Sequence, residues 1–169
     1  KDGGLYVPSS FPKITPEDLL DMAEFKLSGE RSFSPEEEIL RLDNICRERL
    51  GLPLRGGSIV QPWVSGDIPP VDRLTLRFTF DSEIDYSGAE LAFEEPDRLE
   101  KIVFNGSEVA KEPCGNFVDI SIFKVKLTDI VKGKNVLEMT YDYGEKTDIE
   151  SVFILGDFGV KVTGTEKTV

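Results

Sequence analysis

The spacing of apolar residues is helical at the start of the chain and alternating further on. In TPEDLLDMAEFKL, Thr15 is suited to cap a helix and Pro16 to begin it. The segment SPEEEILRLDNICRERLG repeats this pattern, with Ser34 as the cap, Pro35 as the first helical residue and Gly51 as the C-terminal stop. The sequence therefore predicts two helices before the alternating pattern begins.

The second predicted helix has one apolar face, and Cys46 lies on it together with Leu42 and Leu50. We expect the Cys46 thiol to be buried, because free cysteines are among the most buried residues. Cys114 falls in a turn and is assigned no role. Two cysteines are too few for a framework of disulfides.

From Leu74 onward, apolar and polar residues alternate. The segment LTLRFTF places Leu74, Leu76, Phe78 and Phe80 on one face. Further strands are predicted in AELAFEEP, KIVFNG, FVDISIFKVKL, NVLEMTYDY and SVFILGDFGVKV. Short strands separated by turn residues, without long helices between them, indicate an antiparallel β-sandwich or barrel.

Three local patterns refine this picture. Asn105 and Gly106 predict a two-residue type I′ turn, which needs positive φ at both central positions. In FVDISIFKVKL the apolar positions change face after Ile122, which predicts a β-bulge or a strand passing between sheets, and alternation points Asp119 out of the core. The segment TDIVKGKN predicts a short helical turn ending at Gly133.

The predicted organisation has four parts. Residues 1–53 form a helical N-terminal segment, residues 54–70 a connector rich in Gly and Pro, residues 71–162 the β-sandwich and residues 163–169 a tail. The predicted fold class is thus mainly β, an antiparallel sandwich with a helical N-terminal extension. A chain of 169 residues is long enough to bury a core of this kind.

Charge and composition exclude several partners and reactions. The net charge of −12 argues against nucleic acid and against an anionic membrane surface, since both bind basic patches. No apolar run is long enough to span a bilayer. The chain begins with Lys1 instead of Met, so we expect a piece of a longer or processed protein, cytoplasmic or secreted.

The chain contains no histidine. This excludes Ser-His-Asp and Cys-His catalysis and removes the commonest zinc ligand. Glycosidase chemistry needs only two carboxylates, but the sequence does not show which acidic residues face each other. We therefore assign no catalytic residue and expect that the chain is not an enzyme by itself.

Three segments, LEKIVFNGSEV, GNFVDISIFKVKLTDIVKGKNVLEMTY and IESVFILGDFGV, are similar in order and spacing to a known family. They resemble the galactose-binding-like jelly-roll domains of glycoside hydrolases, such as the sugar-binding domain of β-galactosidase and β-glucuronidase relatives and domains of α-L-rhamnosidase-like proteins. The LGDFGV ending is similar to large bacterial proteins of this kind. The resemblance covers residues 71–162.

The resemblance implies a non-catalytic accessory domain that lies beside a catalytic domain and supports or extends a carbohydrate site. The expected partner is carbohydrate, bound together with that adjacent domain. Two alternatives stay open: an autonomous carbohydrate-binding module and a sandwich that binds another protein.

Aromatic rings stack on the apolar faces of sugars, so we consider aromatic residues in loops as the candidate carbohydrate-binding residues. These are Trp63 in the connector, Tyr86 in the acidic loop DSEIDYSG and Tyr143 in YDYGEK. The alternative for each ring is packing, because aromatic residues bury large areas. Trp63 would then anchor the connector, and the tyrosines would cover the ends of the sandwich.

No cofactor and no metal ligand is assigned. Asp81, Glu83 and Asp85 are spaced like the opening of an EF-hand calcium loop, but Tyr86 stands where glycine is required. A structural calcium site of another kind, which the resemblance allows, is a minor alternative. The glycines of LGDFGV do not match a phosphate-binding loop and predict a bulge or a close backbone approach.

Overall fold

The structure is a computed structural model that describes residues 17–55, 68–163 and 166–168. The strands among these residues form two β-sheets. A single helix, α1, is found among these residues and spans Ile39–Leu50. The strands, in chain order, are β1 Glu17–Leu20, β2 Met22–Leu27, β3 Ser34–Glu38, β4 Asp72–Ser82, β5 Glu90–Phe93, β6 Leu99–Phe104, β7 Ser107–Glu108, β8 Gly115–Phe117, β9 Asp119–Lys126, β10 Gly133–Tyr143, β11 Val152–Leu155, β12 Lys161–Thr163 and β13 Glu166–Thr168.

The two sheets enclose one apolar core. The first sheet has the order β1-β11-β5-β9-β8, and the second has the order β12-β13-β4-β10-β6-β7, with β2 also paired to β4 and β3 to β2. The pairing is antiparallel apart from a short parallel contact between β13 and β4. Inward side chains of both sheets, such as Leu91 and Ile154 from the first and Phe78 and Met139 from the second, belong to the same buried cluster. The predicted antiparallel β-sandwich is confirmed.

The long strands β4 and β10 form the centre of the second sheet. They pair over their full length, from Asp72 opposite Tyr143 to Ser82 opposite Gly133. As the alternation predicted, Leu74, Leu76, Phe78 and Phe80 all face the core. The predicted bulge is also present, because the register between β8 and β9 shifts near their shared tip.

The Asn105–Gly106 turn is confirmed, with φ of 49° and 80° at its two residues. The Asn105 side chain also fixes the turn to the start of β10: its amide donates to Asn135 Oδ1 at 2.8 Å, and its Oδ1 accepts from the Val136 N–H at 2.9 Å. Asn135 is fully buried and also bonds to the N–H and C=O of Val131 and to the C=O of Gly133. The two asparagines thus hydrogen-bond backbone groups where one strand ends and the next begins.

The first predicted helix is wrong. The segment contains β1, which pairs with β11, and β2, which pairs with β4. Ala23, Phe25 and Leu27 of β2 are buried alternately with more exposed residues, so this stretch follows the period of a strand. Pairing with the edge of β4 outweighs the local capping signals of Thr15 and Pro16, which lie outside the described residues.

The second helix is confirmed but begins four residues later than predicted. Ser34 and Pro35 belong to β3, which pairs with β2. The cap is Glu38, whose carboxylate accepts from the N–H groups of the first turn, and Gly51 ends the helix at φ 67°. Cys46 is buried as expected. No helix among the described residues is long and apolar enough to cross a membrane.

The short helical turn predicted in TDIVKGKN is also wrong. Ile130 instead forms an isolated antiparallel bridge with Tyr86, and both of the hydrogen bonds between them are made by backbone groups. The chain is therefore extended here and connects β9 to β10 along the end of the sandwich.

Asn135→Ala is expected to destabilise the fold by about 3 kcal/mol, because it removes three hydrogen bonds to partly buried backbone groups, each worth roughly 1 kcal/mol. The measurement is urea unfolding of the wild type and the variant. Lys134→Ala is the control, since this neighbouring side chain is exposed. A loss no larger than that of the control would contradict the role given to the asparagine network.

Candidate functional site

Tyr143, one of the candidate sugar-binding residues, lies entirely within the core. Its hydroxyl donates to Asp43 of α1, at 2.5 Å from Oδ1 and 3.1 Å from the backbone carbonyl. Burial, and then the neighbouring Asp43 carboxylate, raise the pKa of Tyr143. In this arrangement the Tyr143 side chain packs inside the sandwich, which corresponds to the packing alternative for this ring.

Arg47 completes the buried cluster around Tyr143. Its Nε lies 2.8 Å from Asp43 Oδ2, and both residues are almost fully buried. The remaining N–H groups of the guanidinium donate to the backbone carbonyls of Pro53, Glu145 and Thr147. These hydrogen bonds join α1 to the loop after β10 and occupy most of the donors of the guanidinium.

Tyr86 is half-buried at the loop between β4 and β5. The N–H of Asp157 donates to its hydroxyl at 2.8 Å, and its ring meets the Phe158 ring edge-on, with centroids 5.2 Å apart. A Cβ on Gly156 would overlap the Phe158 ring and would lie only 2.9 Å from the Tyr86 ring. The close approach predicted for the LGDFGV glycines is confirmed at Gly156, whereas the space around Gly159 is open.

The structure does not bring Tyr86 and Tyr143 together. Tyr86 follows the end of β4, whereas Tyr143 pairs with Asp72 at its beginning. The two ends of β4 are about 33 Å apart at the usual rise of a strand, so the two tyrosines lie toward opposite ends of the sheet. Trp63 lies outside the described residues. Sugar stacking by these three rings stays a prediction.

A different part of the surface forms an open cleft of about 360 Å³. Its walls come from the loop between β5 and β6, from the segment before β8 and from β9. The lining residues are Glu94, Glu95, Pro96, Asp97, Pro113, Ser121 and Phe123. The cleft thus combines carboxylate oxygens, one hydroxyl and one aromatic ring.

Glu95 is the most constrained residue of this cleft. Its backbone is left-handed, at φ 57°, and burial raises the pKa of its carboxyl above the ordinary 4.5 despite the charge of Arg98. Behind it, burial and the Glu95 charge raise the pKa of Tyr141. The Glu95 carboxyl is thus half-buried where it lines the open cleft.

The sequence contained weak signals for this cleft. The run Glu94-Glu95-Pro96-Asp97 directly follows a buried strand, and Phe123 stands where the apolar positions change face. Neither signal shows that the two segments meet. Asp119 points out of the core as predicted, and its Oδ1 accepts from both the N–H and the hydroxyl of Ser121 at 2.8 Å.

Within the part of the chain that the structure describes, no three Asp, Glu or Cys side chains are grouped so that they could hold a metal ion. Of the three acidic residues that resemble a calcium loop, Asp85 accepts a hydrogen bond from the N–H of Lys132 at 2.8 Å. The calcium alternative stays a prediction.

Comparisons with known proteins give no match to a family model and no significantly similar curated protein. Among solved structures, the chain is similar to a beta-D-mannosidase from Dictyoglomus thermophilum, with 20% identity and a TM-score of 0.44 over 74% of this chain and 15% of that one. It is also similar to CBM35 from Cellvibrio japonicus Abf62, with 14% identity and a TM-score of 0.42 over 84% and 94% of the two chains.

A third similar structure is a GH2 beta-galacturonidase from Eisenbergiella tayi bound to glycerol, with 14% identity and a TM-score of 0.43 over 85% of this chain and 24% of that one. The chain therefore spans only a small part of the mannosidase and of the galacturonidase. At TM-scores of this size, the function has to be argued from the chain's own residues.

Tyr143→Phe is expected to lower the free energy of unfolding by about 2 kcal/mol, because a buried hydrogen bond to a carboxylate is lost. The measurement is urea unfolding, with Tyr86→Phe as the matched control. Tyr86 is only half-buried and accepts one backbone hydrogen bond, so we expect the control to lose less than half as much. Equal losses would show that the Asp43 contact is no stronger than an ordinary surface bond.

Proposed function

We propose that this chain is a non-catalytic β-sandwich domain of a larger glycoside-hydrolase-like protein, in which it supports or extends a carbohydrate site. The observation that carries the proposal is the cleft beside β9, with its carboxylates and the Phe123 ring. Sugar sites combine an apolar surface for the ring faces with a few polar groups that fix the hydroxyls. Both kinds of group line this cleft.

The chemistry of the cleft suits a neutral sugar. Glu94, Glu95 and Asp97 provide acceptors for sugar hydroxyl groups, and the Ser121 hydroxyl adds a further polar group. The same carboxylates disfavour acidic sugars, since like charges repel at short range. Phe123 is half-buried, so only part of its ring is available for stacking.

The open form of the cleft favours an accessory role over an autonomous one. A self-sufficient sugar site encloses most of its ligand, whereas this cleft is open and has one partly covered ring. A neighbouring domain would supply the remaining contacts. An autonomous module would need a further ring platform, for which Trp63 is the candidate outside the described residues.

The isolated chain is expected to bind neutral mono- and oligosaccharides with a Kd of about 1 mM or weaker, which corresponds to roughly 4 kcal/mol. Calorimetric titration measures the affinity, and NMR shifts of backbone amides locate the site, which should include Ser121 and Phe123. Phe123→Leu should remove these shifts because it removes the ring face. Phe117→Leu is the matched control, since Phe117 is also half-buried but packs against Phe153 and is not one of the residues that line the cleft.

Two results would contradict this proposal. If no sugar shifts the amides around the cleft at millimolar concentration, the cleft is not a carbohydrate site. If a sugar binds in the micromolar range and Trp63→Ala abolishes binding without changing the melting temperature, the chain is an autonomous carbohydrate-binding module.

The chain is also expected to hydrolyse no glycosidic bond. The cleft carboxylates Glu94, Glu95 and Asp97 come from one four-residue segment, whereas glycosidases place two carboxyl groups on opposite sides of the bond. A panel of aryl glycosides, with release of the aryl group as the signal, provides the measurement. Turnover that disappears in Glu95→Gln or Asp97→Asn would overturn the non-catalytic assignment.

A further inference from the structure

The hairpin formed by β8 and β9 presents two aliphatic side chains to solvent at its tip. Val118 is 91% exposed and Ile120 is 82% exposed, whereas the next most exposed large apolar residue that the structure describes, Val71, is 56% exposed. Adjacent exposed aliphatic groups of this kind are typical of contact surfaces.

The tip is held in one shape by its own polar side chains. The Asn116 amide donates to the carbonyl of Ile120 at 2.9 Å, and the Asp119 carboxylate accepts both hydrogen bonds from Ser121. These contacts favour the observed conformation of the tip. A surface ordered in advance loses less conformational entropy on binding.

Folding alone does not account for valine at position 118. The residue has φ of 57°, a left-handed conformation that β-branched side chains rarely adopt, and its side chain gains nothing from burial. Glycine or asparagine would suit this backbone better. The aliphatic side chain is therefore best explained by a contact outside this domain.

The surroundings of the tip are acidic. Asp119 lies between the two aliphatic residues, and Ser121, to which it is bonded, lines the cleft that contains Glu94, Glu95 and Asp97. A complementary surface would be apolar at its centre and basic at its border. We propose that the tip of the β8–β9 hairpin docks into an apolar pocket bordered by lysine or arginine side chains on a partner protein domain.

A second copy of this chain fits the tip poorly. The whole chain carries a net charge of −12, so two copies repel each other as they approach. A docked partner would stand beside the cleft and provide the second wall that the proposed sugar site lacks. Docking of the tip does not itself depend on sugar binding, so the two are tested separately.

The test follows the NMR signals of labelled Val and Ile methyl groups in the full chain. Three synthetic peptides of equal length are the probes. One contains Leu and Lys, one Leu and Glu, and one Ser and Lys. We expect the Leu–Lys peptide alone to shift the methyl signals of Val118 and Ile120. Val118→Ser and Ile120→Ser should each weaken this binding about tenfold, and added salt should weaken it further. Both side chains are exposed, so the variants are expected to fold.

The controls are Ile84→Ser and Val131→Ser, which remove exposed aliphatic groups elsewhere on the surface and should leave peptide binding unchanged. An equal response to the Leu–Glu peptide, or equal weakening by the controls, would overturn the proposal. Methyl shifts that depend on the concentration of the chain without peptide would show that a second copy is the occupant, and would overturn it too. Sugar titration of Val118→Ser separately tests the cleft, which this change leaves intact.

Discussion

The relation between the helix and the sandwich depends on one buried carboxylate, that of Asp43. An ionised group without exposed surface costs several kcal/mol unless it is paired and hydrogen-bonded. Arg47 on α1 pairs with one of its oxygens, and Tyr143 at the end of β10 donates to the other. Both partners are in place only when α1 lies against this end of the second sheet. The same guanidinium then holds the following loop through the carbonyls of Glu145 and Thr147.

The N-terminal strands connect this helix to both sheets. β1 belongs to the first sheet and β2 to the second, with only Asp21 between them. The carbonyl of Asp21 accepts a hydrogen bond from the N–H of Ile39, the first residue of α1. A single short stretch of chain therefore ties the two layers and the helix together.

What could be predicted from the sequence was set by local patterns. The alternation of β4 and the Asn105–Gly106 turn were readable because neighbouring residues determine them. The first helix was mispredicted because the pairing of β2 with β4 joins residues about fifty positions apart. Tyr143 was recognisable as an aromatic residue near a turn, but its burial depends on Asp43, a hundred positions away. The cleft joins three separate segments, so no single stretch revealed it.

The acidic residues around the tip of the β8–β9 hairpin affect which surfaces the tip can contact. Exposed aliphatic side chains at the end of an edge hairpin invite association with any apolar surface, including another copy of the same chain. Asp119 between Val118 and Ile120, with the cleft carboxylates nearby, makes most such encounters unfavourable. Repulsion of unsuitable partners is as effective a source of specificity as attraction of the right one. An apolar tip in an acidic setting would thus favour a surface that offers both a pocket and positive charge, as proposed for its partner.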